Sequence, residues 1–105
     1  MSHVTDILLC TAIDDGGQME DEHPNADRLT AWLVTQYGPA NALKKLDHIA
    51  GGGKAMQCDV FGVAVNYCDI EELVRQFKAI GWESPECAQL LVKDEQWDAF
   101  VMHGA

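Results

Sequence analysis

Two segments of the sequence carry apolar residues at consecutive positions of an extended chain, and they limit the fold more than any other feature. One is residues 4–13, in which positions 7–10 read Ile-Leu-Leu-Cys, and the other is residues 55–67. Side chains of a strand alternate between the two faces of a sheet, so consecutive apolar residues indicate burial on both faces. We predict that both segments are central strands, each covered on both faces.

Two further segments have the apolar spacing of amphipathic helices. The first is predicted to begin at Asn25, a good N-cap residue, and to end before Gly38, which a proline follows. The second is predicted to begin at Asp69, which forms a capping arrangement with Glu72, and to end at Gly81.

The rest of the chain predicts shorter elements. Residues 40–50 favour a short edge strand, because Lys44 and Lys45 discourage pairing with a foreign strand. Apolar residues at every third position there also fit a helical turn. Residues 87–93 predict a strand, and residues 97–103 predict either a final strand or a short helix.

This order of elements predicts an α+β fold with one domain spanning residues 1–105. Strand, helix, strand, strand, helix and strand follow one another as in the two-layer, ferredoxin-like β-α-β-β-α-β sandwich. An extra strand or short helix at the C-terminus would be an addition to this sandwich. We expect the first and third strands to be central and to run parallel to each other.

The charge balance is the strongest compositional signal. Seventeen acidic residues face seven basic ones, which gives a formal net charge of -10. Such a field repels nucleic acids and anionic membranes and attracts basic protein surfaces. It therefore argues against direct nucleic-acid binding, and it also serves solubility.

The first residues of the sequence lack the basic start and long apolar stretch of an export signal. No run approaches the length of a membrane span. The four cysteines do not occur in Cys-x-x-Cys pairs, so neither a disulfide framework nor a zinc site is predicted. These observations favour a cytoplasmic protein with reduced thiols and no membrane contact.

Acidic residues concentrate in the loop that follows the first strand and at the start of the second helix. If the two central strands run parallel, both groups lie at one end of the sheet and form a negative patch. The alternative is that these acids are only solvated, and calcium binding at residues 14–16 lacks the EF-hand pattern. The residues predicted to bind a basic partner are Asp14, Asp15, Glu20, Asp21, Glu22, Asp69, Glu71 and Glu72.

No motif for catalysis or cofactor binding is present. Residues 51–54 read Gly-Gly-Gly-Lys, but the spacing and the following alanine do not match a phosphate-binding loop. The four histidines show no metal-ligand spacing, and neither serine lies in a nucleophile elbow. No catalytic residue, metal ligand or cofactor is therefore predicted.

Together these features predict a non-catalytic, acidic protein-binding module. An inhibitor, an immunity protein or a small regulator that engages a basic surface would fit, and mimicry of nucleic-acid charge is one form of it. A rival hypothesis is a small enzyme or ligand-binding domain with a pocket on the sheet face that uses Cys58, Cys68 or His48. A third is a self-associating structural domain, so that the chain would be either a monomer or a homodimer.

Overall fold

The structure, a computed structural model that describes residues 3–105, is centred on two neighbouring strands, β1 (Val4–Thr11) and β3 (Asp59–Asn66). They pair in full register, from Val4 opposite Asn66 to Thr11 opposite Asp59. The prediction that these two strands are central is confirmed. Both are shorter than predicted, because residues 12–13, 55–58 and 67 lie outside the strands.

Three more strands complete one antiparallel sheet within the described residues. They are β2 (Lys44–Lys45), β4 (Gln89–Asp94) and β5 (Val101–Gly104). The order across the sheet is β2-β3-β1-β4-β5, and every neighbouring pair is antiparallel. The predicted α+β class is confirmed, but the sheet has five strands, so its strand order differs from the four-strand arrangement.

The expectation that β1 and β3 run parallel is wrong. A helical crossover returns the chain so that β2 runs parallel to β1, and β3 then reverses direction when it pairs with β2. The loop after β1 and the turn after β3 therefore leave the sheet at opposite ends. Eight-residue strands separate these ends by roughly 23 Å.

Two helices cover one face of the sheet. They are α1 (Pro24–Tyr37) and α2 (Ile70–Ala79), and their buried residues share one core with alternate residues of β1, β3 and β4. Fully buried members of this core include Leu9, Leu33 and Phe77. Neither described helix has the length and apolar character needed to cross a lipid bilayer.

The opposite face of the sheet is only partly covered, which corrects the prediction of burial on both faces. Leu8 of β1 is half-buried there, whereas its neighbours Ile7 and Leu9 on the helix face are buried. Gly62 of β3 lies on this open face, where a Cβ atom would come within 2.7 Å of Leu46 Cδ1. The small residue therefore makes room for the Leu46 side chain.

The helix ends follow their local signals in part, and α2 ends at Ala79, two residues before the predicted Gly81. Helix α2 has Asp69 as its N-cap, and the Asp69 carboxylate accepts a 3.1 Å hydrogen bond from the Glu72 N–H, as predicted. The N-cap of helix α1 is His23, two residues before the predicted Asn25, and Pro24 occupies the first helical position because proline's fixed φ suits the first turn. It ends at Gly38, whose φ of 102° favours glycine.

The two uncertain segments are resolved as short strands flanked by turns. In residues 40–50, β2 is a two-residue edge strand between 3-10 turns at Pro39–Asn41 and Asp47–Ile49. In residues 97–103 the chain forms β5 and no helix, and a further 3-10 turn at Pro85–Cys87 precedes β4.

Candidate metal centre

One cluster of polar side chains is drawn from three different elements. Asp14 follows β1, His23 caps α1, and Asp59 begins β3. His23 Nδ1 lies 3.2 Å from Asp59 Oδ2 and 3.6 Å from Asp14 Oδ1. One ligand atom from each residue lies within 4.8 Å of the others, and no other group of three such side chains occurs in residues 3–105.

Asp59 is the buried member of the cluster. It stands opposite Thr11 on the helix face of β3, and only 3% of its surface is exposed. Its Oδ2 accepts a 2.9 Å hydrogen bond from the Asp14 N–H. A carboxylate buried this deeply needs hydrogen-bond donors or opposite charges beside it.

Asp14 is held in an uncommon backbone conformation. Its φ is 53°, and its carbonyl oxygen accepts a 2.8 Å hydrogen bond from the Gly17 N–H, which closes a turn. Aspartate tolerates this left-handed region better than most residues. The turn brings the Asp14 side chain back towards β3, and about a quarter of that side chain remains exposed.

The His23 ring is fixed edge-on to the Phe61 ring, with centroids 5.5 Å apart. Its Nδ1 atom is buried and makes no hydrogen bond to any residue of the described chain. A buried ring nitrogen with no hydrogen-bond partner is rare in folded proteins. Oxygen atoms of the Asp14 and Asp59 carboxylates lie next to this nitrogen, so all three residues present a ligand atom to the same small region.

Lys45 and Asp47 extend the charged cluster. Lys45 Nζ lies 3.3 Å from Asp47 Oδ2 and 3.6 Å from Asp59 Oδ1. Burial opposes the charge on Lys45, but Asp47 and Asp59 outweigh it and raise the Lys45 pKa above its ordinary value. Burial likewise opposes the charge on Asp47, but the Val60 N–H and Lys45 outweigh it and lower the Asp47 pKa.

The spacing and charge of the cluster suit a metal ion. Two ligands bonded at about 2.1 Å to one ion lie about 3.0 Å apart at a right angle and about 3.4 Å apart at a tetrahedral angle. The observed separations of 3.2 and 3.6 Å are close to these values. Three carboxylates and one ammonium leave two negative charges, which matches a divalent cation.

The eight residues predicted to form one acidic patch do not come together. Asp69, Glu71 and Glu72 lie at the start of α2, at the end of the sheet far from the loop after β1. Asp15 is buried and accepts hydrogen bonds from the Asn25 side chain and from two backbone N–H groups. The predicted residues that remain exposed in the loop are Glu20, Asp21 and Glu22.

The sequence interpretation missed His23 and Asp59 as members of a site. A signal was present for Asp59, since it shares the helix face of β3 with Phe61 and Val65, where the alternation calls for apolar residues. His23 gave none, because only the fold brings it to β3. Asp14 was predicted as a site residue, although for partner binding.

The residues of the rival pocket hypothesis are also dispersed. Cys68 follows β3 and Cys58 precedes it, so they lie at opposite ends of the sheet, and His48 is exposed. Cys10, Cys58 and Cys87 line a cavity of about 510 Å³ at the edge of the open face. Burial and the nearby Cys58 thiol raise the pKa of Cys10 above 9.0, which disfavours the reactive thiolate.

Comparison with known proteins adds no relative. No protein-family model, curated protein or solved structure matches this chain. The chemistry of the candidate site therefore has to be inferred from its own residues.

Proposed function

We propose that this chain is a metal-binding domain that holds one divalent transition-metal ion through Asp14, His23 and Asp59. The buried His23 Nδ1 atom carries the proposal, because it has no hydrogen-bond partner in residues 3–105 and lies beside oxygens of both carboxylates. Imidazole nitrogen with carboxylate oxygen suits Zn²⁺, Fe²⁺ or Mn²⁺. Ca²⁺ is disfavoured, because it takes six to eight oxygen ligands.

Three protein ligands leave coordination positions open. In catalytic zinc sites a water molecule or substrate fills such a position, whereas structural sites are closed by four protein ligands. The partly exposed Asp14 side chain marks the solvent side of the cluster. The proposal covers metal binding and includes no catalytic step, in keeping with the prediction of a non-catalytic protein.

Titration of the metal-free protein with Zn²⁺, followed by calorimetry, tests the proposal. We expect one bound ion per chain and no heat with Ca²⁺. Zinc at a hundred times its dissociation constant would raise the free energy of unfolding by about 2.7 kcal/mol. If His23 instead forms a simple ion pair with Asp59, Zn²⁺ will neither bind in this ratio nor stabilise the fold.

Two variants form a matched pair for this titration. His23→Gln removes a proposed ligand, whereas His48→Gln removes an exposed histidine outside the cluster. Loss of an outer-shell partner alone typically weakens metal binding about 10–100-fold, so His23→Gln should weaken it by at least as much. Equal affinity in the two variants would contradict the proposal.

A third variant covers the case in which a change inside the cluster harms folding. Asp14→Asn removes one charge but keeps a residue that tolerates the left-handed conformation of this position. It should remain folded by circular dichroism and bind Zn²⁺ more weakly than the His48→Gln control. Undiminished zinc binding by folded Asp14→Asn protein would exclude Asp14 as a ligand.

The exposed part of the acidic loop supports a second proposal, that the chain engages a basic protein surface. Glu20, Asp21 and Glu22 all face solvent, and the neighbouring Met19 is 70% exposed. This proposal keeps the predicted acidic binding module but confines it to one end of the sheet. Charge mimicry of nucleic acid is a narrower form of the same proposal.

A lysine-rich peptide serves as the probe for this surface. The double variant Glu20→Gln, Glu22→Gln should bind it more weakly than Glu71→Gln, Asp98→Asn, which removes two charges beyond the other end of the sheet. Binding should also weaken as salt rises. Identical affinities for the two double variants would mean that only net charge attracts the peptide.

We also propose that the fold is a ferredoxin-like sandwich extended by β5, in a cytoplasmic protein. The succession β2-β3-β1-β4 within the sheet and the packing of both helices on one face support the fold. An experimental structure in which β4 does not pair with β1 would rule it out. Fractionation of the native cells tests the location.

A further inference from the structure

The two edges of the sheet differ in how well they are protected from pairing. At one edge, β2 is two residues long, both of them lysines, with a 3-10 turn on either side. At the other edge, β5 reads Val-Met-His-Gly and carries no acidic residue, lysine, arginine or proline. Edge strands without such residues are ready templates for another strand.

The pairing with β4 shows which backbone groups of β5 point outward. The Ala105 N–H donates to the Ala88 carbonyl oxygen (3.3 Å), one position beyond the pair Gln89–Gly104. Hydrogen-bonded pairs alternate along an antiparallel ladder, so His103 and Val101 also bond inward to β4. The N–H and C=O groups of Met102 and Gly104 therefore face away from the sheet.

Exposed apolar side chains surround this edge on both faces. Val101 is 45% exposed on the helix face, and Met102 is 55% exposed on the open face. Trp97 and Val101 line a groove of about 540 Å³ between β5 and α2. A strand added beside β5 would cover Val101 on the helix face of the sheet and Met102 on the open face.

We propose that β5 pairs with β5 of a second copy of this chain, antiparallel and about a two-fold axis. With the axis at His103, Met102 of each copy stands opposite Gly104 of the other, and both residues have outward donors and acceptors. This gives four backbone hydrogen bonds and joins the two sheets into one of ten strands. An isologous contact of this kind closes on itself as a dimer.

Charge favours a second copy over a basic peptide as the occupant. The chain has a net charge of -10, so two copies repel each other wherever acids meet. β5 has no acid, and the groove beside it holds one acid, Glu71, and one base, Arg75. This neutral edge lets two copies approach closely, and it gives a lysine-rich strand no particular attraction.

Sedimentation velocity over a wide dilution series, at low and high salt, tests the proposal. We expect a monomer–dimer equilibrium in which the dimer fraction rises with salt, because screening weakens the repulsion between copies. Binding of a basic peptide would show the opposite salt dependence. A monomer at every concentration and salt level would overturn the proposal.

Variants at position 102 locate the contact. Met102→Pro removes an N–H that faces outward, so the pairing of β5 with β4 keeps its hydrogen bonds while the dimer loses two. Met102→Lys adds a charge at the contact, and Met19→Lys adds the same charge at a methionine that is 70% exposed elsewhere. We expect both position 102 variants to be monomers and Met19→Lys to dimerise. Dimerisation of folded Met102→Pro protein would place the contact elsewhere.

Hydrogen exchange gives a readout that needs no variant. The amides of Met102 and Gly104 should exchange more slowly as protein concentration rises, while the amide of Lys44 at the opposite edge should not respond. Concentration-dependent protection confined to other residues would contradict pairing through β5.

Discussion

Asp15 joins three separate parts of the chain, and its replacement by alanine should destabilise the fold strongly. Its carboxylate accepts hydrogen bonds from Asn25 Nδ2 (2.7 Å), the Glu83 N–H (3.1 Å) and the Ser84 N–H (2.8 Å). The loop after β1, the first turn of α1 and the segment before β4 meet at this side chain. Only 6% of Asp15 is exposed, so this side chain is shielded from water in the folded protein.

The size of the effect follows from these three bonds. Hydrogen bonds to a charged group contribute roughly 1.5–3 kcal/mol each, which sets an upper range of roughly 5–9 kcal/mol. Glu83 is exposed and Ser84 is half-buried, so in the variant water can accept hydrogen bonds from part of the N–H groups that have lost the carboxylate. We therefore expect Asp15→Ala to lower the free energy of unfolding by roughly 3 kcal/mol, or the melting temperature by roughly 12–24 °C.

Urea unfolding followed by tryptophan fluorescence measures this loss. Trp82 is a suitable reporter, because it is buried near this junction and its Nε1–H donates to the Phe77 carbonyl oxygen (2.9 Å). Ser84→Ala is the matched control, since Ser84 contributes its backbone N–H, and its side chain makes no cap hydrogen bond. A loss below about 1 kcal/mol for Asp15→Ala, or an equal loss for Ser84→Ala, would refute the reasoning.

Two further predictions concern Asp69 and Asp47. Asp69→Ala removes the N-cap of α2 and should lower the free energy of unfolding by about 1 kcal/mol in urea titrations, whereas Asp98→Ala, outside any helix, should not. The folded protein holds the pKa of Asp47 below its ordinary value of 3.8, so Asp47 stabilises the fold above that pH and loses this contribution as the pH falls below it. Asp47→Asn should therefore have a lower free energy of unfolding than the wild type in urea titrations at neutral pH. The difference between the two proteins should decrease in acid. A difference that does not change with pH would contradict the ion pair with Lys45.

Much of the fold could be predicted from local sequence, because local physics controls it. The capping aspartate of α2, the glycine that ends α1 and the lysines of β2 each act within a few residues. Burial on one face was harder to foresee, since apolar residues such as Leu8 occupy the open face of β1 without being fully buried. Alternation shows that a strand has two faces but not which of them a helix covers.

The candidate site could not be predicted in the same way, because it depends on pairing between distant segments. Asp14 and Asp59 are brought together by the register that sets Thr11 opposite Asp59, and α1 then carries His23 to them. The strand directions, in contrast, can be derived from the order of the elements, because a helical crossover keeps β2 parallel to β1 and a hairpin reverses β3. With β1 and β3 wrongly taken as parallel, three acids of the predicted patch were placed at the wrong end of the sheet.

The antiparallel pairing of β1 and β3 also shapes the electric field of the molecule. Acidic side chains gather near both poles of the sheet, roughly 23 Å apart, and the screening length in physiological salt is only about 8 Å. Part of the net charge of -10 thus lies at each end of the sheet, and an approaching cation is attracted mainly by the nearer end. Reversing the charges at one end of the sheet should leave the rate at which a cationic partner reaches the other end nearly unchanged.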